Sequence, residues 1–212
     1  MTSDTNQPPT EVARRFNPIR IGKLVLLRIL YDGLRCVYGF NRWHAGASYA
    51  SRAYKARTVS LVESLKPDTV VEIGCGLGEI LTHTHAKRRF GFDQDPAVIR
   101  AARMLHGRSA YFGPASLTEP AKIAEVVAGP IDVLIMVNWP HELSIEELGA
   151  ALRGLTSSTV VSHLVIDSIA GHREGYLHHH GATDLSRLGE IVSVMDGDDG
   201  IRRLYAIRIA RP

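Results

Sequence analysis

The sequence predicts an α/β fold, in which five strands alternate with helices in a mostly parallel sheet. An antiparallel hairpin supplies two more strands, and a helical extension precedes the whole. Three observations support this. From Val59 onward, short β-branched or apolar runs alternate with helical segments. The last two strand-like runs, residues 189–194 and 201–210, are joined by the turn-forming Asp196-Gly197-Asp198-Asp199-Gly200. The 212 residues are 45% apolar and 22% charged, the composition of one globular domain with an extension. That excludes a mainly disordered chain, a collagen-like repeat and a small disulfide-stapled scaffold.

Residues 1–18, polar with Pro8, Pro9 and Pro18, read as a disordered lead. Residues 19–58 form the extension. Within it Ile21, Leu24, Leu27, Leu30 (with Tyr31), Leu34 and Val37 (with Tyr38) recur at three- and four-residue steps, the spacing of one helix face. That face is expected to pack on the body or on a second subunit as a homodimer. A basic helix lying on an anionic membrane surface is the other reading. Arg14-Arg15 before this stretch and Ala45-Gly46-Ala47 after it superficially resemble a signal peptide. Lys23, Arg28, Asp32 and Arg35 interrupt the apolar run, which excludes both a signal sequence and a membrane span.

The domain then occupies residues 59–212. A helix ends at Lys66-Pro67-Asp68, and Thr69-Val70-Val71-Glu72-Ile73 is the first strand. A glycine-rich turn follows, with a helix expected through about His85. Residues 89–93 form the second strand. The next helix, 97–106, opens with Asp95 as N-cap and Pro96 in its first turn. Residues 110–112 are the third strand and 120–128 a helix. Residues 131–137 are a strongly apolar fourth strand. The helix over 144–155 starts with Ser144 and Glu147 at capping-box spacing. A fifth strand spans 159–166, and a His-rich connection leads to the hairpin.

Charge divides the chain unevenly. Residues 1–60 carry ten basic and three acidic residues, a net +7, while the remainder carries a net −4. Such a front end suits an anionic partner or is simply a solvated helix face. The two cysteines, Cys36 and Cys75, do not suggest a structural disulfide, and a reducing cytoplasm is expected, with contact at the inner face of the membrane as the further reading.

The chemistry concentrates after the first strand, in Glu72-Ile73-Gly74-Cys75-Gly76-Leu77-Gly78. Glycines there allow a sharp turn and close backbone approach to a ligand at the carboxyl end of a strand. A dinucleotide fingerprint requires a small residue where Glu79 stands, which argues against an NAD-dependent dehydrogenase. From Val70 to Ile80 the sequence resembles the first motif of class I S-adenosylmethionine (SAM) dependent methyltransferases. The order of elements over 59–212 agrees with their Rossmann-like seven-stranded sheet. By that resemblance Glu72 organises the amino-acid end of SAM, Gly74, Gly76 and Gly78 wrap it, and Asp93 accepts the ribose hydroxyls. The family often has an acid contacting adenine after the third strand. Here Gly113-Pro114-Ala115-Ser116 has none, leaving backbone or Ser116.

The fourth strand ends in Asn138-Trp139-Pro140-His141, and by resemblance this end faces the methyl group. A single proline and a terminal histidine depart from the Asn/Asp-Pro-Pro-aromatic signature of DNA and glutamine N-methylases, so nucleic acid is disfavoured. Asn138 is expected to line both cofactor and reaction centre. His141 is expected to act as a general base or to bond locally, since neutral imidazole can take a hydroxyl proton near pH 7. His178, His179 and His180 offer an alternative base, but consecutive histidines diverge and no metal site is expected. Phe40, Trp43, His44, Tyr49 and Tyr54 make the extension either a lid or an ordinary packing layer.

These readings imply methyl transfer from SAM to a small-molecule or saccharide acceptor, lipid-linked or anionic, at a hydroxyl. The alternative is a non-catalytic SAM- or nucleoside-binding module that works through its N-terminal helix as a dimer or membrane adaptor.

Overall fold

A computed structural model of the chain describes residues 18–46, 48–171 and 176–210. The disordered lead of the sequence reading lies outside the described residues except for Pro18. Three helices come first: α1 (Pro18–Tyr38), α2 (Arg42–Ala45) and α3 (Ala53–Ser64). There follow β1 (Thr69–Ile73), β2 (Arg88–Asp93), α4 (Pro96–His106), β3 (Tyr111–Pro114), α5 (Pro120–Val127), β4 (Ile131–Met136) and α6 (Ile145–Ser158). The chain continues with β5 (Val161–Ile169), α7 (Ala182–Leu185), β6 (Glu190–Asp196) and β7 (Arg202–Arg208).

The strands form one seven-stranded sheet in the order β3-β2-β1-β4-β5-β7-β6. β1 through β5 pair in parallel, and β7 inserts antiparallel between β5 and β6. β1 and β4 lie at the centre, which is why their sequences are nearly continuous apolar runs. Strand alternation sends side chains to two cores. Val70, Val133, Ile135, Val165 and Ala206 join Tyr31 and Leu34 of α1, Leu61 and Val62 of α3, and Val98 and Ile99 of α4. On the opposite face Val71, Leu134, Met136, Leu164 and Ile207 meet Ile123 and Val127 of α5 and Leu148, Leu152 and Leu155 of α6. The N-terminal helices are therefore part of one sheet-face core, and α3 runs uninterrupted across residue 58.

The expected caps are present. Asp95 accepts the N–H of Ala97 at 2.8 Å, and Ser144 and Glu147 form a reciprocal capping box. Two expectations need correction. The segment after the glycine loop is no α-helix through His85 but a turn ending in a 3-10 turn, Leu81–His83. The backbone N–H groups of His83 and Thr84 reach three residues back rather than four, and side chains share the carbonyls of this turn. Thr82 Oγ1 donates to Gly78 O, Thr84 Oγ1 donates to Leu81 O, and His83 Nδ1 lies 2.6 Å from Glu79 O. The inward face of α1 also differs. Leu24, Leu27, Tyr31, Leu34 and Tyr38 are buried or half-buried, whereas Leu30 and Val37 point to solvent.

Candidate functional site

Both halves of the site lie along the carboxyl edge of the parallel strands. At the β1 end, Gly74, Gly76 and Gly78 have φ of +71°, +54° and +78°, a left-handed backbone that glycine adopts without strain. The loop is pinned to the neighbouring strand by the N–H groups of Gly74 and Cys75, which both donate to Phe92 O. Asp93 ends β2 and is buried. Its Oδ2 accepts the Gly76 N–H at 2.9 Å and its Oδ1 accepts the Asp95 N–H at 3.0 Å. Glu72 is buried beneath the loop and accepts the Leu81 N–H at 3.1 Å. Burial pushes the Glu72 carboxyl up to about 8, against the lowering effects of the Lys55 charge and the Leu81 N–H.

Aromatic side chains cover the loop. A Cβ built on Gly74 would sit 2.4 Å from Cδ1 of Trp139, and the Trp139 indole N–H donates to Ile73 O at 2.6 Å. A Cβ on Gly76 would lie 3.1 Å from His44 Nδ1, and one on Gly78 would lie 2.5 Å from the Phe112 ring. The next residue, Glu79, is buried between the N-terminal helices. Tyr31 OH donates to its Oε1 at 2.5 Å, and Lys55 Nζ pairs with its Oε2 at 2.6 Å.

At the ends of β4 and β5 sits a second buried cluster. His141, 1% exposed, places Nε2 3.3 Å from Asp167 Oδ1, a charge contact without hydrogen-bond alignment. Among the described residues its buried Nδ1 has no hydrogen-bond partner. Asp167 also pairs with the Arg202 guanidinium and accepts the Asn138 N–H at 2.8 Å. Burial pushes the Asp167 carboxyl up, but His141, Arg202 and the Asn138 N–H outweigh it and leave the group below the usual range. Arg202 donates to Asn138 Oδ1 at 2.6 Å and to Tyr176 OH at 3.3 Å, and it lies 4.4 Å from the Tyr54 ring centroid. An arginine over a tyrosine face is attracted by the ring quadrupole.

Comparison by sequence finds no matching family model and no matching curated protein. Solved structures do match. Magnesium protoporphyrin IX methyltransferase (ChlM) from Synechocystis PCC 6803, solved with SAM, aligns at a TM-score of 0.58 and 15% identity over 95% of this chain and 100% of its own. N-methyltransferase NodS from Bradyrhizobium japonicum WM9, in complex with S-adenosyl-L-homocysteine, gives 0.58 and 19% over 84% of this chain and 97% of its own. TehB from Haemophilus influenzae gives 0.55 and 11% over 73% of this chain and 62% of its own. The chain has the class I SAM-dependent methyltransferase fold.

In this methyltransferase fold the predicted residues fall into two groups. Glu72, Gly74, Gly76, Gly78 and Asp93 converge at the β1 and β2 ends. Asn138 and His141 converge on Asp167 instead. Asn138 has φ +79° and spends its side-chain oxygen on Arg202, away from the glycine loop. The donor set suits SAM in kind: two carboxylates at neighbouring strand ends and a loop whose every second residue is glycine between them. Its present arrangement is closed, because Trp139 lies on Gly74 and Asp93 holds the loop's own N–H.

Of the alternative bases, His180 is a structural anchor whose Nε2 lies 2.9 Å from Leu143 O. Burial lowers its proton affinity. The His178 backbone N–H donates to His141 O, and His179 is exposed. Among the described residues no three His, Cys, Asp or Glu side chains group as a metal site would require. After β3, Ser116 Oγ pairs with Thr118 Oγ1, and its N–H donates to Glu119, an acid three residues beyond the stretch inspected in the sequence. Sequence reasoning missed Asp167, Arg202 and the partners of Glu79. The available signal was an Asp within the apolar fifth strand, a rare type for a buried position.

Proposed function

We propose that this chain is a SAM-dependent methyltransferase acting on a hydroxyl of a small-molecule or saccharide acceptor. The observation that carries the reading is the juxtaposition on one sheet edge of the Glu72–glycine loop–Asp93 set and a buried His141–Asp167 pair. SAM, when bound, supplies an electrophilic methyl on a sulfonium centre. Gly74, Gly76 and Gly78 would hold it with Glu72 and Asp93. The acceptor's hydroxyl proton has one evident destination, His141 Nδ1. The Asp167 carboxylate favours the tautomer with hydrogen on Nε2, which leaves the Nδ1 lone pair available. Arg202 and Asn138 fix the carboxylate and so position the ring. Tyr176 (edge-on, 5.1 Å between centroids) and His180 (6.2 Å) cover the imidazole and exclude water, so an acceptor must displace one of these rings.

Titration calorimetry with SAM tests the cofactor half, and Asp93→Ala is expected to weaken binding at least tenfold. Unchanged affinity in that variant, or no heat with wild-type protein, would sink the reading. Transfer of label from SAM to fractionated small molecules tests the catalytic half. His141→Ala should lower kcat by about 10²–10⁴-fold with SAM affinity retained. The closed loop also agrees with the non-catalytic alternative, in which SAM or a nucleoside would bind without turnover. Binding with no labelled product from any fraction would favour that module.

A further inference from the structure

We infer that the outward face of α1, with the arginine groove at its end, docks this protein on an anionic lipid surface. The helix is apolar on two sides. Opposite the packed face stand Val25, Leu26, Ile29, Leu30 and Val37, of which Leu26, Ile29 and Val37 are 68%, 63% and 76% exposed. At 100° per residue these side chains share one stripe along the helix. Arg28 and Arg35 edge it on one flank. Beyond its C-terminal end, Arg42, Trp43 and Arg52 line a concave surface of about 470 Å³ together with Arg28, Asn41 and Gly46. Arg28 and Arg35 both pair with Asp32, at 2.8 Å and 4.0 Å, while Arg42 and Arg52 meet no carboxylate among the described residues. The stripe presents on the order of 500 Å² of apolar surface, a size that is often functional on a soluble protein.

Two occupants compete for such a face, a second copy or a membrane. A stable dimer buries roughly 800 Å² per partner, about 60% of it apolar, so the area of the stripe suits either occupant. Isologous pairing would, however, bring two copies of a +7 segment together. An anionic bilayer answers the charge: acyl chains receive the apolar stripe, and phosphates receive Arg42 and Arg52. Exposed Trp43 beside the groove is the residue type that favours the headgroup level. Among the described residues no helix is long and apolar enough to cross a membrane, so α1 would lie in the interface plane.

The test is flotation of the full chain with vesicles of phosphatidylcholine alone or with about one third phosphatidylglycerol. Binding is expected only with the anionic lipid and should fall as salt screens the charges. Arg42→Gln with Arg52→Gln should lower partitioning by about 30-fold. Leu26→Ser with Ile29→Ser, both on the solvent side of the helix, should lower it more than tenfold while leaving the circular dichroism unchanged. Emission from Trp43 should shift to the blue on binding and the shift should vanish in Trp43→Phe. No binding to either vesicle, or equal binding to both, would overturn the inference. So would a concentration-dependent dimer abolished by the Leu26→Ser, Ile29→Ser pair, which would assign the face to a second copy.

Discussion

Glu72 lies under the glycine loop, where its carboxyl accepts the Leu81 N–H at 3.1 Å. In the fold its pKa stands at about 8, against 4.5 for the free side chain, and burial is the largest cause. Between those values the folded state keeps a proton that the unfolded state has released. Stability from this residue is therefore present below about pH 4.5 and is lost as pH rises through about 8. Glu72→Gln replaces the protonated acid with a neutral isostere and removes this dependence. Urea unfolding at pH 5 and pH 9 should show wild type losing more stability than the variant across that interval. Parallel pH dependence in the two proteins would contradict the assignment. Asp93 and Glu79 raise the Glu72 carboxyl through charge, so the comparison reads Glu72 together with that coupling.

At the scale of elements, α1 and α3 are fastened to the cofactor-type loop through Glu79. Tyr31 is 48 residues from Glu79 in sequence, yet its hydroxyl reaches across to the Glu79 carboxylate, and Lys55 takes the other oxygen. Tyr31→Phe leaves that oxygen buried with one partner fewer, and a hydrogen bond to a charged group is worth about 1.5–3 kcal/mol. A loss of that size is expected in urea unfolding, and Tyr31→Phe with Glu79→Gln should show non-additivity, since the two side chains share one interaction. Additive losses would mean that the contact contributes nothing to stability.

The same contact marks what the sequence could reveal. Strands β1, β4 and the hairpin were legible because their side-chain pattern is local, as were the Asp95 and Ser144 caps. The glycine loop was legible because positive φ demands glycine. Glu79 read only as an obstacle to dinucleotide binding, because its partners lie 48 and 24 residues away. Asp167 and Arg202 stayed hidden for the same reason, being 35 residues apart and joined only when β7 inserts beside β5. The turn after Gly78 was misread as a helix because threonine and histidine side chains compete for carbonyls in a way that apolar periodicity does not report.

For the whole molecule, these contacts describe a closed state. Trp139 lies on Gly74, His44 lies over Gly76, and Asp93 holds the Gly76 N–H. A ligand resting on the loop would meet the indole and compete for the carboxylate, so opening is expected to precede a productive complex. When a binding-competent form is a minor population, apparent affinity falls by the fraction that is competent. If opening precedes binding, the observed association rate levels off at the opening rate as ligand increases; a ligand meeting an open cleft gives a linear rise. Trp139 is the natural reporter because the movement concerns its own ring. In a Trp43→Phe background, stopped-flow mixing with SAM should give a Trp139 signal whose rate saturates with concentration. Trp139→Leu, which removes the indole from Gly74, should abolish the plateau, with the rate followed instead by displacement of a fluorescent adenosine analogue. A wild-type rate that rises linearly to the mixing limit would show that the loop is open before ligand arrives, and that the aromatic cover has no part in admission to the site.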